Sequence, residues 1–492
     1  MVFNSLTFIV FFGLMLLLHN LPLSWKAKKT NLLLASYLFY AAWNPPFILL
    51  LWLSTVVDFF VGKALYNQEN PYKKKLLLVV SLIGNLGMLC FFKYGPFLLE
   101  NFVHLTSAIG MNFHPAEPNI ILPAGISFYT FTTLCYTIDM YKKRSEPVKS
   151  LLDFSLFVTF FPHLVAGPIV RPAQLVPQFE TPRSANQTQL LRGLFLLSLG
   201  LFMKVVLADG MLASPADAVF GSVAPLATLD AWMGVLAFSG QIFFDFAGYS
   251  TCAIAVAMCL GFVLPENFNY PYAAIGFSDF WKRWHITLSS WLRDYLYIPL
   301  GGNRNGRFRT YLNLMITMLL GGLWHGANWT FVVWGGLHGL FLAAEKLIED
   351  LKKRQAPLAV KERSVATMGV SSVPLFKALA SSKLLLVLLT FFLVNITWVF
   401  FRSPDFTTAS RILTSMFTNV KDGAVLLTSL TMLKVGVIIT LMLVCHWIMR
   451  NRNVLSVSDK IRWWVLGLAW GAMVIMIMLS QESTSSFIYF QF

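Results

Sequence analysis

What this chain has least of is charge. Only 12% of its 492 residues are Asp, Glu, Lys or Arg, whereas 57% are hydrophobic, and the mean hydropathy is +0.65. A soluble globular domain carries about a quarter of its residues as charges, so a soluble enzyme is excluded. Cysteine is scarce as well. Cys90, Cys135, Cys252, Cys259 and Cys445 all lie in or beside apolar stretches, and none forms a Cys-x-x-Cys pair. They read as core thiols rather than as disulfides or metal ligands. Acidic residues number 23 against 38 basic ones, for a net charge of +15. No basic stripe interleaved with aromatics accompanies that excess, so nucleic acid is not an expected partner. Three catalytic signatures are also missing: the Gly-x-Ser-x-Gly elbow, the His-Glu-x-x-His zinc motif and the Gly-x-x-x-x-Gly-Lys-Ser/Thr phosphate loop.

What the chain does have is a succession of apolar runs, each close to the roughly 20 residues needed to cross a bilayer. The pattern predicts an all-α polytopic membrane protein, surrounded by lipid. The first run, Phe8 to Leu18, has no basic leader and no small-residue cleavage pattern, so it reads as an uncleaved span. Basic clusters at Lys26 to Lys29, Lys63 to Lys75, Lys142 to Arg144, Lys352 to Arg363 and Arg450 to Arg462 should face the cytoplasm. The loop carrying Glu100, His104, His114 and Glu117 holds no Lys or Arg and should be external. Asn44-Pro45-Pro46 should turn the chain between two passes, because two prolines break a helix. Phe161-Pro162-His163-Leu164-Val165-Ala166-Gly167-Pro168 predicts a re-entrant turn. The threading gives roughly 11 to 13 membrane segments. It places one domain over residues 1–492, with a core at about 120–345 and C-terminal helices at about 384–480.

Against this background the stretch from Phe277 to Leu300 is unusual, because it carries Asp279, Lys282, Arg283, His285, Arg293 and Asp294. Charges at membrane depth are costly, and they usually face a cavity or a partner. At 100° per residue, Trp281, Trp284, Leu288, Trp291 and Tyr295 share one face of a helix. Lys282, His285, Ser289 and Arg293 form a separate stripe. Either the helix lies at the interface, with Trp anchors and a solvated His285, or its polar stripe lines a water-accessible path. A second histidine, His325, sits in Gly321-Gly322-Leu323-Trp324-His325-Gly326-Ala327-Asn328-Trp329, where the glycines permit a turn or a close approach. An imidazole near neutral pKa suits general-base activation of a hydroxyl, although a hydrogen-bonded core histidine fits the same pattern. His338 follows 13 residues later, which does not suggest a metal pair, and no metal is expected. Asp245, inside an apolar run, needs a partner such as Arg171, Lys204 or Arg293.

At these residues the chain resembles a bacterial membrane-bound O-acyltransferase of the alginate O-acetylation branch. The blocks that carry the resemblance are Phe280 to Arg304 and Gly322-Leu323-Trp324-His325-Gly326-Ala327. Supporting matches are Leu122 to Phe131, Ala166-Gly167-Pro168-Ile169-Val170-Arg171, Pro265-Glu266-Asn267-Phe268-Asn269-Tyr270-Pro271-Tyr272 and the closing Phe487 to Phe492. Thr251 departs from the pattern, which leads one to expect Asp after Gly248-Tyr249-Ser250. The resemblance implies a helical barrel pierced by a tunnel, with His325 as the essential histidine and His285 as the second. It implies acetyl-CoA as acyl donor substrate with no bound cofactor, in the bacterial inner membrane. Export of the acetyl group would serve a polysaccharide acceptor through a periplasmic SGNH-type acetyltransferase partner. Lys282, Ser289, Arg293, Trp324 and Asn328 are the substrate-binding candidates, and Asp245 and Arg171 are tunnel or structural candidates. Other readings stay open: peptidoglycan, cellulose or teichoic acid as acceptor, or a transporter relaying protons through His285, His325 and Asp245.

Overall fold

In the computed structural model the described residues are 1–113, 115–116, 120–362, 383–419, 423–480 and 488, with the backbone alone described for 354–362. His114, Glu117, Arg363 and the closing stretch from Phe487 to Phe492, apart from Ile488, lie outside them. The described elements are helices of α, 3-10 or π type, and an isolated bridge joins Leu226 to Ala424. Among the described residues, seven helices are long and apolar enough to cross a bilayer: Phe47–Asn67, Pro71–Ala108, Gln187–Gly221, Thr228–Cys259, Trp329–Lys353, Lys383–Arg402 and Ser429–Met449. Leu6–Asn20 and Trp463–Leu479 are shorter apolar helices. The remaining expected segments correspond to Trp25–Ala41, Ile126–Tyr141 and Arg307–His325, which are shorter or more polar. The chain is a multi-pass membrane protein.

Two compact units emerge, one of residues 1–207, 244–266 and 461–492, the other of 208–243 and 267–460. In the first unit the expected proline turn separates Trp25–Ala41 from Phe47–Asn67. Pro71–Ala108 relaxes into a π turn at Cys90–Tyr94, just ahead of Pro96, which has no N–H to give. The predicted re-entrant segment is present: after the short helix Leu151–Thr159, residues 160–170 run without helix and are all buried. Backbone of that kind survives at membrane depth only when protein satisfies it, and the N–H of Phe161 donates to Ser36 Oγ at 3.1 Å. Gly125 (φ 73°) lies against this segment, where a Cβ would stand 2.9 Å from the Leu164 carbonyl oxygen.

One group of buried polar side chains in this unit is bonded together. Asp58 accepts from Ser81 Oγ at 2.6 Å and Asn85 Nδ2 at 2.7 Å, while Asn85 Oδ1 accepts from Ser54 at 3.0 Å and Thr133 at 2.9 Å. Asp245 resolves its three candidate partners in favour of Lys204, and it also accepts from the backbone N–H of Ile488 at 2.8 Å. Thr251, where Asp was expected, returns its hydroxyl to the Ala247 carbonyl at 2.7 Å.

The second unit is organised by the pair Arg307–His325 and Trp329–Glu362, joined by only three residues. The two backbones touch. A Cβ on Gly322 would overlap the Phe331 carbonyl oxygen and lie 3.1 Å from Gly335 Cα, and one on Gly335 would overlap the Met318 carbonyl oxygen. Small residues at such crossings let helices pack closely in lipid. The long basic loop expected from Lys352 onward begins instead as a continuation of this helix. Pairs of Glu349 with Lys346 (3.0 Å) and Lys353 (2.5 Å) favour helix there.

Two expectations follow for detergent-solubilised protein, both read by thermal unfolding. Lys204→Met strands the Asp245 carboxylate and costs about 3–5 kcal/mol, and adding Asp245→Leu recovers most of that loss. Gly335→Ala forces the crossing apart and costs about 1–3 kcal/mol, whereas Gly336→Ala, whose Cβ would meet only Leu319 Cδ2 at 3.4 Å, is close to neutral.

Candidate functional site

Within the second unit, the chain from Asn267 to Tyr297 is tied to its surroundings residue by residue. The Glu345 carboxylate accepts from the N–H groups of Phe277 (2.8 Å) and Ser278 (3.0 Å), starting the short helix Phe277–Trp281. Asp279 accepts from Ile275 N–H at 3.0 Å, Arg450 Nη2 at 2.6 Å and Arg283 Nε at 2.9 Å. Burial alone would raise the Asp279 pKa, but these three donors hold it below the usual carboxylate value.

The single helix expected over Phe277 to Leu300 is not formed. It stops after Trp281, and His285 adopts a left-handed conformation (φ 43°, ψ 54°) before a new helix runs from Ile286 to Leu292 and a π turn from Arg293 to Tyr297. The physical reason is a tertiary competitor for the backbone. Ile286 N–H donates to the Asn267 carbonyl at 2.9 Å, and Asn269 N–H donates to the Arg283 carbonyl at 2.9 Å. A non-glycine residue in this region is strained by about 1–3 kcal/mol, and such strain gathers at functional sites.

The break dissolves the four-residue stripe. Lys282 and Arg293 are exposed, and Arg293 pairs with Asp294 at 2.7 Å. Ser289 is half-buried and returns its hydroxyl to the Trp284 carbonyl at 3.2 Å. His285 alone turns inward, fully buried.

His325 ends its helix and reaches the same place from the other side. The two imidazole centroids are 6.4 Å apart, with Trp324 6.0 Å from His285 and 5.0 Å from His325. Trp334 at 5.0 Å and Phe401 at 5.4 Å also pack against His325. The water-lined passage expected beside these rings is not seen: His285 is 0% and His325 2% exposed.

Asn328 sits at a helix start. Its Oδ1 accepts from Thr330 N–H at 2.9 Å and its Nδ2 donates to the Pro404 carbonyl at 2.8 Å. Asp245 and Arg171 belong to the first unit, where the Arg171 N–H donates to Gln174 Oε1 at 3.0 Å. His338 takes a structural bond. Thr397 Oγ1 donates to the Val394 carbonyl at 2.8 Å and therefore accepts from His338 Nε2 at 3.0 Å.

The residue that sequence reasoning passed over is Asn267. Its Oδ1 lies 3.1 Å from His285 Nδ1 and accepts from Thr287 N–H at 3.2 Å and Thr287 Oγ1 at 2.9 Å. The one signal for it was the block Pro265 to Tyr272, which carried resemblance without an assigned role. Chemically, the constellation offers two buried imidazoles from separate elements, one held by a carboxamide. It is suited to moving a proton to and from a hydroxyl away from bulk water.

The model of the membrane-bound O-acyltransferase family matches residues 140–370, a segment that contains Asn267, His285 and His325. A probable alginate O-acetylase of Pseudomonas aeruginosa is 39% identical over 423 residues, covering 85% of this chain and 75% of that protein. The corresponding protein of Azotobacter vinelandii is 40% identical, covering 85% and 78%. A peptidoglycan O-acetyltransferase of Helicobacter pylori is 34% identical over 509 residues, covering 94% and 91%. With relatives of that identity aligned over most of both lengths, and two buried histidines meeting inside the matched segment, the chain belongs to the membrane-bound O-acyltransferase family and is an acyltransferase.

Proposed function

We propose that this enzyme moves an acetyl group from acetyl-CoA, entering from the cytosol, to the hydroxyl of an extracytoplasmic glycan, and that it does so in the bacterial inner membrane. The observation that carries this reading is the meeting of His285 and His325 in one aromatic enclosure, with centroids 6.4 Å apart. In the transfer, the imidazole pair takes the proton of the acceptor hydroxyl, with His325 as general base. The new C–O bond forms as the thioester C–S bond breaks, and the proton returns to the departing thiolate. Exclusion of water by Trp324, Trp334 and Phe401 keeps the thioester from hydrolysis. The basic groups Arg304, Arg307, Arg309, Lys352 and Lys353 offer charge attraction to the coenzyme phosphates from the cytoplasmic side.

Alginate is the acceptor named for the Pseudomonas and Azotobacter relatives, and delivery through a periplasmic SGNH-type acetyltransferase would suit an exported polysaccharide. Peptidoglycan is the second reading. It is favoured by the Helicobacter relative, whose alignment spans more of both chains although its identity is lower.

His325→Ala lowers transfer by about 10²–10⁴-fold, the usual worth of a positioned base, while the protein level in the membrane is unchanged. The check is isotope-labelled acetyl-CoA supplied to inside-out vesicles, followed by acetate ester in the soluble polysaccharide and peptidoglycan fractions. The fraction that gains label in the unmodified protein names the acceptor. Normal ester content in the variant would refute the assignment.

A further inference from the structure

We propose, on the acyl-transfer reading above, that Asn267 is a positioning residue that holds the His285 proton on Nδ1, so that Nε2 is the atom that takes a proton during transfer. Asn267 is 1% exposed, and three groups converge on its Oδ1: Thr287 N–H at 3.2 Å, Thr287 Oγ1 at 2.9 Å and His285 Nδ1 at 3.1 Å. Which end of a carboxamide is oxygen is normally a matter of assignment. Here the Thr287 backbone decides it, because a backbone N–H only donates, and an NH₂ group in that place would set two donors face to face. An amide oxygen carries no hydrogen, so it bonds His285 Nδ1 only if that nitrogen is protonated. Neutral imidazole has one N–H, and the lone pair therefore sits on Nε2.

The backbone of the same residue supports the arrangement. The Asn267 carbonyl accepts from Ile286 N–H at 2.9 Å, so main chain and side chain of one residue hold His285 and the two residues that follow its strained turn. Three bonds to residues 286 and 287 fix where the imidazole sits, and the fourth, to His285 Nδ1, fixes its proton.

This changes the chemistry open to His285. Polarising the thioester carbonyl, another role open to a second histidine, needs a hydrogen on Nε2. A lone pair there accepts instead. The acceptor's hydroxyl proton, taken by His325, passes on to Nε2 of His285, whose ring centroid is 6.4 Å from that of His325. The resulting imidazolium keeps its Nδ1–H on Asn267, and its Nε2 proton passes to the sulfur as the C–S bond breaks. The pair ends neutral, as it began.

The test uses the full chain in detergent, ¹⁵N-labelled at its 8 histidines, with the His285 resonances identified by their loss in His285→Gln. The unmodified protein should show a protonated Nδ1 and a bare Nε2. Asn267→Ala should lose that preference and lower kcat by about 10–100-fold, as loss of a histidine-orienting partner does elsewhere, with KM for acetyl-CoA little changed. Asn267→Asp keeps an acceptor at the same place and should restore both the tautomer and most of kcat. If Asn267→Ala does not fold, the unmodified and Asn267→Asp spectra still decide the matter. A hydrogen on Nε2 of the unmodified His285, or full kcat in Asn267→Ala, overturns the proposal. An unmodified protein that transfers no acetyl from the thioester overturns the acyl-transfer reading instead, while the spectrum still decides what Asn267 does.

Discussion

The second unit depends on one steric constraint, the absence of side chains where the helices Arg307–His325 and Trp329–Glu362 cross. In lipid the hydrophobic effect does not drive helices together, so close van der Waals contact and interhelical bonds must do it. At Gly322 and Gly335 the backbones come near enough that even a methyl group would overlap a facing carbonyl. His325 is three residues beyond Gly322 and ends the same helix, so its imidazole is placed by that crossing. Trp334, beside Gly335, is delivered by it too and packs 5.0 Å from His325.

Around this crossing the core is aromatic. Centroid separations of 6.1 Å from Tyr272 to Trp284, 5.1 Å from Trp284 to Trp398 and 5.9 Å from Trp398 to Trp334 join the ring that rests on His446 to the ring that rests on His325. Each such pair contributes about 0.5–1.5 kcal/mol beyond the area it buries. Rigid rings also exclude water from the imidazoles. In the first unit the same low-dielectric surroundings impose another requirement. Asp58 and Asp245 are each surrounded by donors, because an unsatisfied carboxylate at that depth would cost several kcal/mol.

Much of this was legible in the residues. Apolar length located the spans, and paired prolines marked both the turn at Asn44 and the buried non-helical segment near Pro162, because proline removes a donor wherever it stands. The rarity of ionisable groups drew the eye to His285 and His325, and a charge in an apolar run required Asp245 to find a cation. The stripe of Lys282, His285, Ser289 and Arg293 failed for a reason that periodicity does not contain. Helical spacing assumes that each N–H stays within its own helix, and Ile286 gives its N–H to Asn267 instead.

The sequence by itself therefore determined the membrane class, the helical make-up and the two histidines, because each follows from the cost of placing polar atoms in lipid. Only the tertiary structure decided that the imidazoles meet, that Lys282 and Arg293 face away from them, and that Asn267 holds one of the rings. Those outcomes rest on contacts between segments far apart in the chain, where the geometry of a crossing and the direction of one hydrogen bond outweigh local pattern.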